Sequence, residues 1–62
     1  MNINLKVAIL KKFPTQADFA KQIGISETLL SRYIKERREV KPEIKRNMAT
    51  ELGVDVGEIF PN

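Results

Sequence analysis

Apolar side chains recur every three or four residues along most of this chain, and this recurrence predicts helices. The clearest run is 15–35, where two short amphipathic stretches meet at Gly24. Apolar residues at that spacing lie on one face of a helix. A glycine between two such stretches supplies the left-handed backbone that commonly ends a helix. The pattern therefore predicts a helix, a three-residue turn and a second helix.

The residues that flank this turn carry the signals of helix ends. Thr15 and Ser26 are of the types that cap a helix N-terminus, and Asp18 follows Thr15 at the spacing of a capping box. The two predicted helices are 16–23 and 27–35. Apolar residues lie at helical spacing on their inner faces: Ala17, Phe19, Ala20, Ile23, Leu30, Tyr33 and Ile34.

The amino-terminal part of the chain predicts one further helix, at 4–13. An asparagine, Asn2 or Asn4, is available to cap it. Pro14 ends it, because the residue before a proline avoids the helical conformation. After the two central helices, the highly charged stretch 36–41 predicts a loop that can prolong the second of them by one turn.

The carboxyl-terminal part predicts two more helices. One runs from Pro42, whose ring fits the first helical position, to Leu52, and Gly53 ends it. Residues 55–58 have the D-x-x-E form of a capping box, so a last short helix is expected there. The sequence shows no strand-like alternation and no repeat. Together these elements predict an all-α fold, a compact bundle of four to five helices in a single domain that covers residues 1–62.

The composition excludes several classes of protein. The 62 residues include no Cys and no His, so neither a disulfide nor a metal or cofactor site is expected. Catalysis is not expected either, because the sequence has no paired carboxylates, no glycine-rich phosphate loop and no base beside a hydroxyl. The longest apolar run, 7–10, is too short to cross a membrane, and a cytoplasmic protein is expected.

Charge is distributed unevenly along the chain, whose net charge is +3. Residues 32–46 hold seven basic and three acidic side chains, whereas residues 47–62 hold three acidic and no basic ones. This asymmetry suits a polyanion on one side of the molecule and a different partner on the other. The alternative is ordinary charge scatter on a solvated surface.

The spacing of these landmarks resembles that of the phage repressor and Cro family of helix-turn-helix proteins, often called the XRE family. The resemblance spans 5–61 without a gap and rests on these stretches: Thr15-Gln16-Ala17, Phe19-Ala20, Ile23-Gly24-Ile25-Ser26, Leu30-Ser31-Arg32-Tyr33, Pro42-Glu43-Ile44-Lys45-Arg46, Met48-Ala49, Leu52-Gly53-Val54 and Glu58-Ile59-Phe60. It implies a lambda repressor-like DNA-binding domain and a transcriptional regulator, expected to be a repressor of prokaryotic or phage origin. The chain departs from the family pattern at Glu36, where many members carry glycine, and at Glu27, where many carry glutamine.

The resemblance also implies which residues meet DNA. The second helix of the motif is expected to enter the major groove, where each base pair presents a distinct pattern of donors and acceptors. Base readout is assigned to three residues on its outer side: Glu27, Thr28 and Arg32. Phosphate contacts are assigned to a second set: Gln16, Ser26, Ser31, Lys35, Arg37 and Arg38. The alternative for each is an ordinary solvated side chain, and Glu27 can instead stabilise the N-terminus of its own helix.

The expected partners are double-stranded DNA and a second copy of the chain. Family members dimerise on a two-fold operator, and the acidic and apolar segment 54–62 is the expected dimer surface, through Val56, Ile59 and Phe60. The alternative is that these three residues close the core. A different function also stays open, that of an antitoxin or accessory factor which keeps the fold and binds a protein. Neither a membrane nor a small-molecule ligand is expected as a partner.

Overall fold

The helical periodicity of the sequence is matched by helices in three dimensions. The computed structural model describes residues 1–61, and this part of the chain forms five helices and no strand. In chain order they are α1 (Ile3–Lys12), α2 (Gln16–Ile23), α3 (Glu27–Ile34), α4 (Pro42–Leu52) and α5 (Val56–Ile59). The predicted all-α bundle is confirmed. None of the helices within residues 1–61 has the length and apolar character required to span a membrane.

The first helix is the centre of the packing, because α1 contacts each of the other four helices. The core of the described chain consists of twelve buried hydrophobic residues: Leu5, Ile9, Phe19, Ala20, Leu30, Tyr33, Ile34, Val40, Met48, Ala49, Leu52 and Ile59. Burying a side chain of this kind stabilises the fold by roughly 1.5–3 kcal/mol for the larger residues. Every helix contributes to this core, so α1, α4 and α5 supply much of the apolar surface that holds α2 and α3.

The turn between α2 and α3 has the geometry that the sequence predicts. Gly24 is left-handed, with a φ of 78°. The backbone N–H of Ile25 donates to the carbonyl of Ala20 at 3.0 Å, and the N–H of Gly24 donates to the carbonyl of Lys21 at 3.2 Å. This pair of bonds is typical of a helix closed by a left-handed residue. The side chain of Ile25 packs against the core, which anchors the turn.

Hydroxyl groups cap the two helices of the motif, as predicted. The Thr15 Oγ1 accepts a hydrogen bond from the backbone N–H of Asp18 at 3.2 Å and donates to the Asp18 carboxylate at 2.9 Å. The Ser26 Oγ accepts from the backbone N–H of Leu29 at 3.0 Å. Each cap satisfies one of the amides that a helix N-terminus leaves without an intrahelical partner.

Asn2 joins the ends of three helices. Its Oδ1 accepts from the backbone N–H of Leu5 at 3.0 Å, so Asn2 rather than Asn4 caps α1. Its Nδ2 donates to the carbonyl of Ile59, at the end of α5, at 2.7 Å. Its backbone N–H donates to the carbonyl of Ile34, at the end of α3, at 2.6 Å. One residue therefore holds the start of α1 against the ends of α3 and α5.

Two helices end one residue earlier than predicted. Phe13 is extended, with φ −121° and ψ 144°, because it precedes Pro14, and α1 therefore ends at Lys12. Helix α3 ends at Ile34 rather than at Lys35, and the charged stretch 36–41 adds no further helical turn. The chain turns there through Glu36, whose φ of 60° is left-handed.

Three side chains differ from the expectation. Ala17 is exposed, because α2 meets the core through Phe19 and the residue two positions earlier points away from it. Asp55 precedes α5 but its side chain forms no capping bond, and its carbonyl instead accepts from the backbone N–H of Glu58 at 3.0 Å. Val40 is buried, although it lies in the stretch 36–41 that the density of charged residues predicted to be a loop.

Replacing Glu36 by glycine is expected to stabilise the protein by about 0.5–1 kcal/mol. A left-handed backbone costs a residue with a Cβ about 1–2 kcal/mol, which exceeds the extra freedom that glycine gains when the chain unfolds. The free energy of unfolding from urea titration measures the change. The matched control is Glu39→Gly in the same loop, where φ is not positive, and this substitution should destabilise instead. Equal effects of the two substitutions would contradict the explanation.

Candidate nucleic-acid interface

Helix α3 has one face in the core and the other in solvent. Leu30, Tyr33 and Ile34 are buried at the spacing of one helical face. Thr28 and Arg32 lie on the opposite face and are exposed. Because the buried side chains fix the rotation of the helix about its axis, the same polar residues always face outward.

A concave surface runs along the exposed face of α3. Its lining residues come from the start of α2, from α3 and from the segment that follows α3: Gln16, Glu27, Thr28, Ser31, Arg32, Lys35, Arg37 and Arg38. We call this surface the basic groove, because four of its side chains are basic and one is acidic. Eight of the nine residues that the sequence assigns to base or phosphate contacts line it.

The ninth residue, Ser26, does not line the basic groove. It is exposed at the N-terminus of α3, and its hydroxyl oxygen accepts from the backbone N–H of Leu29. The structure therefore gives Ser26 a defined role as a cap. Its hydroxyl can still donate a hydrogen bond outward, because a hydroxyl has one donor and two acceptor positions.

Gln16 is the one residue of the groove that α2 contributes. It is half-buried in the first turn of that helix, where the backbone N–H groups have no intrahelical partner. An anion at this end would be attracted by the helix dipole. Asp18 lies in the same turn and is exposed, although one carboxylate oxygen accepts from the Thr15 hydroxyl. Asp18 was predicted only as a capping residue, and its negative charge at this helix end was not considered. Its position three residues after Thr15 is the signal that places the charge there.

The remaining basic residues near α4 lie apart from the groove. Lys45 is half-buried, and its Nζ lies 5.1 Å from the centre of the Phe60 ring, the geometry of a cation–π contact. Lys41 and Arg46 are exposed but do not line the groove. The positive charge that faces the groove therefore comes from α3 and the loop after it, and not from the whole basic stretch of the sequence.

The three residues expected at a dimer surface lie at different depths. Ile59 is only 1% exposed and belongs to the core, which favours the alternative that this residue closes the bundle. Val56 and Phe60 are half-buried and pack against the same core. The last residue of the expected segment, Asn62, lies outside the described part of the chain. Within residues 1–61, no cluster of His, Cys, Asp and Glu is arranged to hold a metal ion.

Comparison with known proteins identifies the architecture that carries this groove. A family model described as helix-turn-helix matches residues 15–59, which is 45 of the chain's 62 residues. The match begins at the cap of α2 and ends with α5, so it includes the turn at Gly24 and two of the three supporting helices. No curated protein and no solved structure gives a significant match to the chain.

Replacing Ser26 by alanine is expected to lower the free energy of unfolding by about 1 kcal/mol, the usual cost of a lost N-cap. Ser26→Asp should leave stability close to that of the wild type, because aspartate is an equally good cap. Thermal or urea unfolding followed by circular dichroism measures both. An unchanged stability for Ser26→Ala would show that the hydroxyl does not act as a cap.

Proposed function

This chain belongs to the helix-turn-helix family, in its Cro and repressor-type branch, and is a DNA-binding transcription regulator; from that premise we propose that it is a sequence-specific repressor. In this proposal residues 1–62 act as one domain and α3 lies in the major groove of double-stranded DNA. The observation that carries the proposal is the basic groove, in which eight polar residues from three segments of the chain converge on one surface.

The dimensions and chemistry of α3 support base readout. The major groove of B-form DNA is wide enough to admit an α-helix, and in this motif the N-terminal residues of the second helix meet base edges. Arg32 can donate two hydrogen bonds to guanine N7 and O6. Thr28 can contact a thymine methyl group or donate to an acceptor, and Glu27 can accept from the amine of cytosine. We assign base readout to these three residues.

The other residues of the groove suit the DNA backbone. Three exposed basic side chains lie at the end of α3 and in the segment after it: Lys35, Arg37 and Arg38. There they can neutralise phosphates. Gln16 and Ser31 line the same groove and can donate to phosphate oxygens. Ser26 is assigned there as well, through the hydroxyl proton that its capping role leaves free. Each phosphate neutralised adds about 0.9 to the slope of log affinity against log salt concentration.

A single copy of this groove reaches one half-site. Two copies on a two-fold operator would read two half-sites about one helical turn apart, which raises both affinity and specificity. We therefore propose that the protein binds its operator as a dimer. Of the C-terminal residues assigned to the contact between copies, Val56 and Phe60 keep partly exposed side chains, whereas Ile59 does not.

The experiment that tests the proposed function is selection of binding sites from a library of random duplexes at two salt concentrations. Enrichment of a two-fold sequence is expected, because two equivalent copies of α3 read two equivalent half-sites. Binding that is weak, independent of sequence and nearly insensitive to salt would contradict the proposal. That result would favour the protein-binding function of an antitoxin or accessory factor.

Replacing Arg32 by alanine is expected to cost about 1–3 kcal/mol on the selected operator, and far less on a random duplex, because a base contact is made only where the base is present. Fluorescence anisotropy on both duplexes measures the difference. Equal losses on the two duplexes would remove Arg32 from base readout.

Arg38→Ala and Lys21→Ala are the matched controls, since each removes one positive charge. Arg38 lines the groove, so its loss should weaken binding to both duplexes alike and lower the salt slope by about one unit. Lys21 is exposed on α2 and does not line the groove, so its loss should change affinity little. A loss at Lys21 as large as that at Arg38 would show that net charge, not the groove, governs binding.

A further inference from the structure

The outer side of α1 carries an apolar ridge. Ile3, Val7 and Leu10 follow one another at helical spacing, and their side chains are 54%, 45% and 49% exposed. With Met1 they are the large hydrophobic residues that the described chain leaves exposed. Such residues scattered singly need no explanation, but a row on one helix face is typical of a contact surface.

A groove of about 330 Å³ lies directly beside this ridge, between α1 and the α4–α5 end of the chain. Val7 belongs to both features. On the α1 side the groove is lined by Ala8 and Lys11, and on the opposite side by Val54 and Glu58. One wall is therefore basic and the other acidic, and no ion pair joins Lys11 to Glu58 within residues 1–61.

We propose that this ridge and groove, and not the partly exposed Val56 and Phe60, form the contact between two copies of the chain. In a two-fold contact every pair of contacting residues occurs twice, with the two copies exchanged, so one surface must contain both members of each pair. The surface on α1 contains both the ridge and the groove, and both the basic and the acidic side chain. The apolar ridge of one copy can enter the groove of the other, and Lys11 of one copy can meet Glu58 of the other. The inference names the partner that a two-fold operator requires, and in that respect it rests on the proposed function.

The distribution of charge favours a second copy over another occupant. An acidic helix from a different protein, or an anionic membrane, would match the lysine wall but would be repelled by the wall that carries Glu58. The area also matters. A stable contact covers about 800 Å² on each partner, which three half-exposed side chains cannot supply. The groove must therefore take part, and a second copy carries both of the charges that its two walls require.

The groove beside α1 is separate from the basic groove. No residue that lines the groove beside α1 also lines the basic groove on α3. The ridge approaches the basic groove at Ile3, which lines a cavity together with Arg37 and Arg38. Pairing centred on Val7, Leu10 and the groove beside α1 is therefore the arrangement that leaves the basic groove uncovered. An operator-bound dimer requires that the two surfaces be occupied together.

The first test is sedimentation equilibrium without DNA. The wild type should dimerise, and the double variant Val7→Gln with Leu10→Gln should raise the dimer dissociation constant roughly tenfold or more, as expected for two central apolar anchors. Both side chains are about half exposed and glutamine is a good helix former, so the monomer should stay folded. The matched control, Thr50→Gln, changes an exposed residue of α4 outside the groove and should have no effect.

The second test uses charge reversal at Lys11 and Glu58. Lys11→Glu alone and Glu58→Lys alone each place like charges across both halves of the contact, and each should raise the dissociation constant roughly two- to fivefold. An equimolar mixture of these two variants should recover wild-type affinity, because in the mixed dimer every pair is again of opposite sign. Recovery in the mixture cannot arise from contacts within one chain.

Three outcomes would overturn the proposal. These are a wild type that stays monomeric at every concentration with and without DNA, a dimer that the α1 variants leave intact but Phe60→Ala dissociates, and a mixture of charge variants that does not recover. The proposed function is tested separately, on a duplex that carries one half-site. The α1 variants should bind this duplex as the wild type does, whereas failure of all proteins to bind it would contradict the function and not the contact.

Discussion

The left-handed backbone at Gly24 is the constraint on which the rest of the structure depends. It ends α2, and within two residues the hydroxyl of Ser26 has begun α3, so the direction of the second helix is fixed by three residues. Packing then fixes its rotation, because Leu30 and Tyr33 must stay in the core. Direction and rotation together decide which side chains face outward. The basic groove is thus a product of the turn and of the apolar residues that never touch a ligand.

Local signals in the sequence were sufficient for the framework. Thr15, Ser26 and Pro42 act where their side chains or ring predict, and Gly53 ends α4 with the left-handed backbone that glycine allows. Capping and turn chemistry depend only on neighbours in the chain. Periodicity predicted that Thr28, Ser31 and Arg32 lie on the side of α3 away from the core. Gln16, Arg37 and Arg38 come from other segments, and their place beside α3 was expected from the family resemblance.

The rest could not be read from the sequence, because periodicity shows which residues share a face but not what covers that face. Ile59 and Phe60 are adjacent and equally apolar, yet one is sealed in the core and the other lies beneath Lys45. The row formed by Ile3, Val7 and Leu10 likewise has the spacing of a helix face that packs into a core. In the folded chain, however, these side chains stay exposed. Both cases depend on contacts between distant parts of the chain, which short-range patterns do not encode.

The hydrogen bonds that Asn2 makes to Leu5, Ile34 and Ile59 bear on how the molecule opens. Helix ends normally fray one by one, at little cost, ahead of global unfolding. Here the first turn of α1 and the last turns of α3 and α5 share one residue, across 57 positions of sequence in the case of Ile59. Releasing any one of these ends therefore disturbs the other two. The amide protons at the end of α3 should accordingly exchange with solvent together with those of the first turn of α1, as one cooperative unit that includes the last turn of α5.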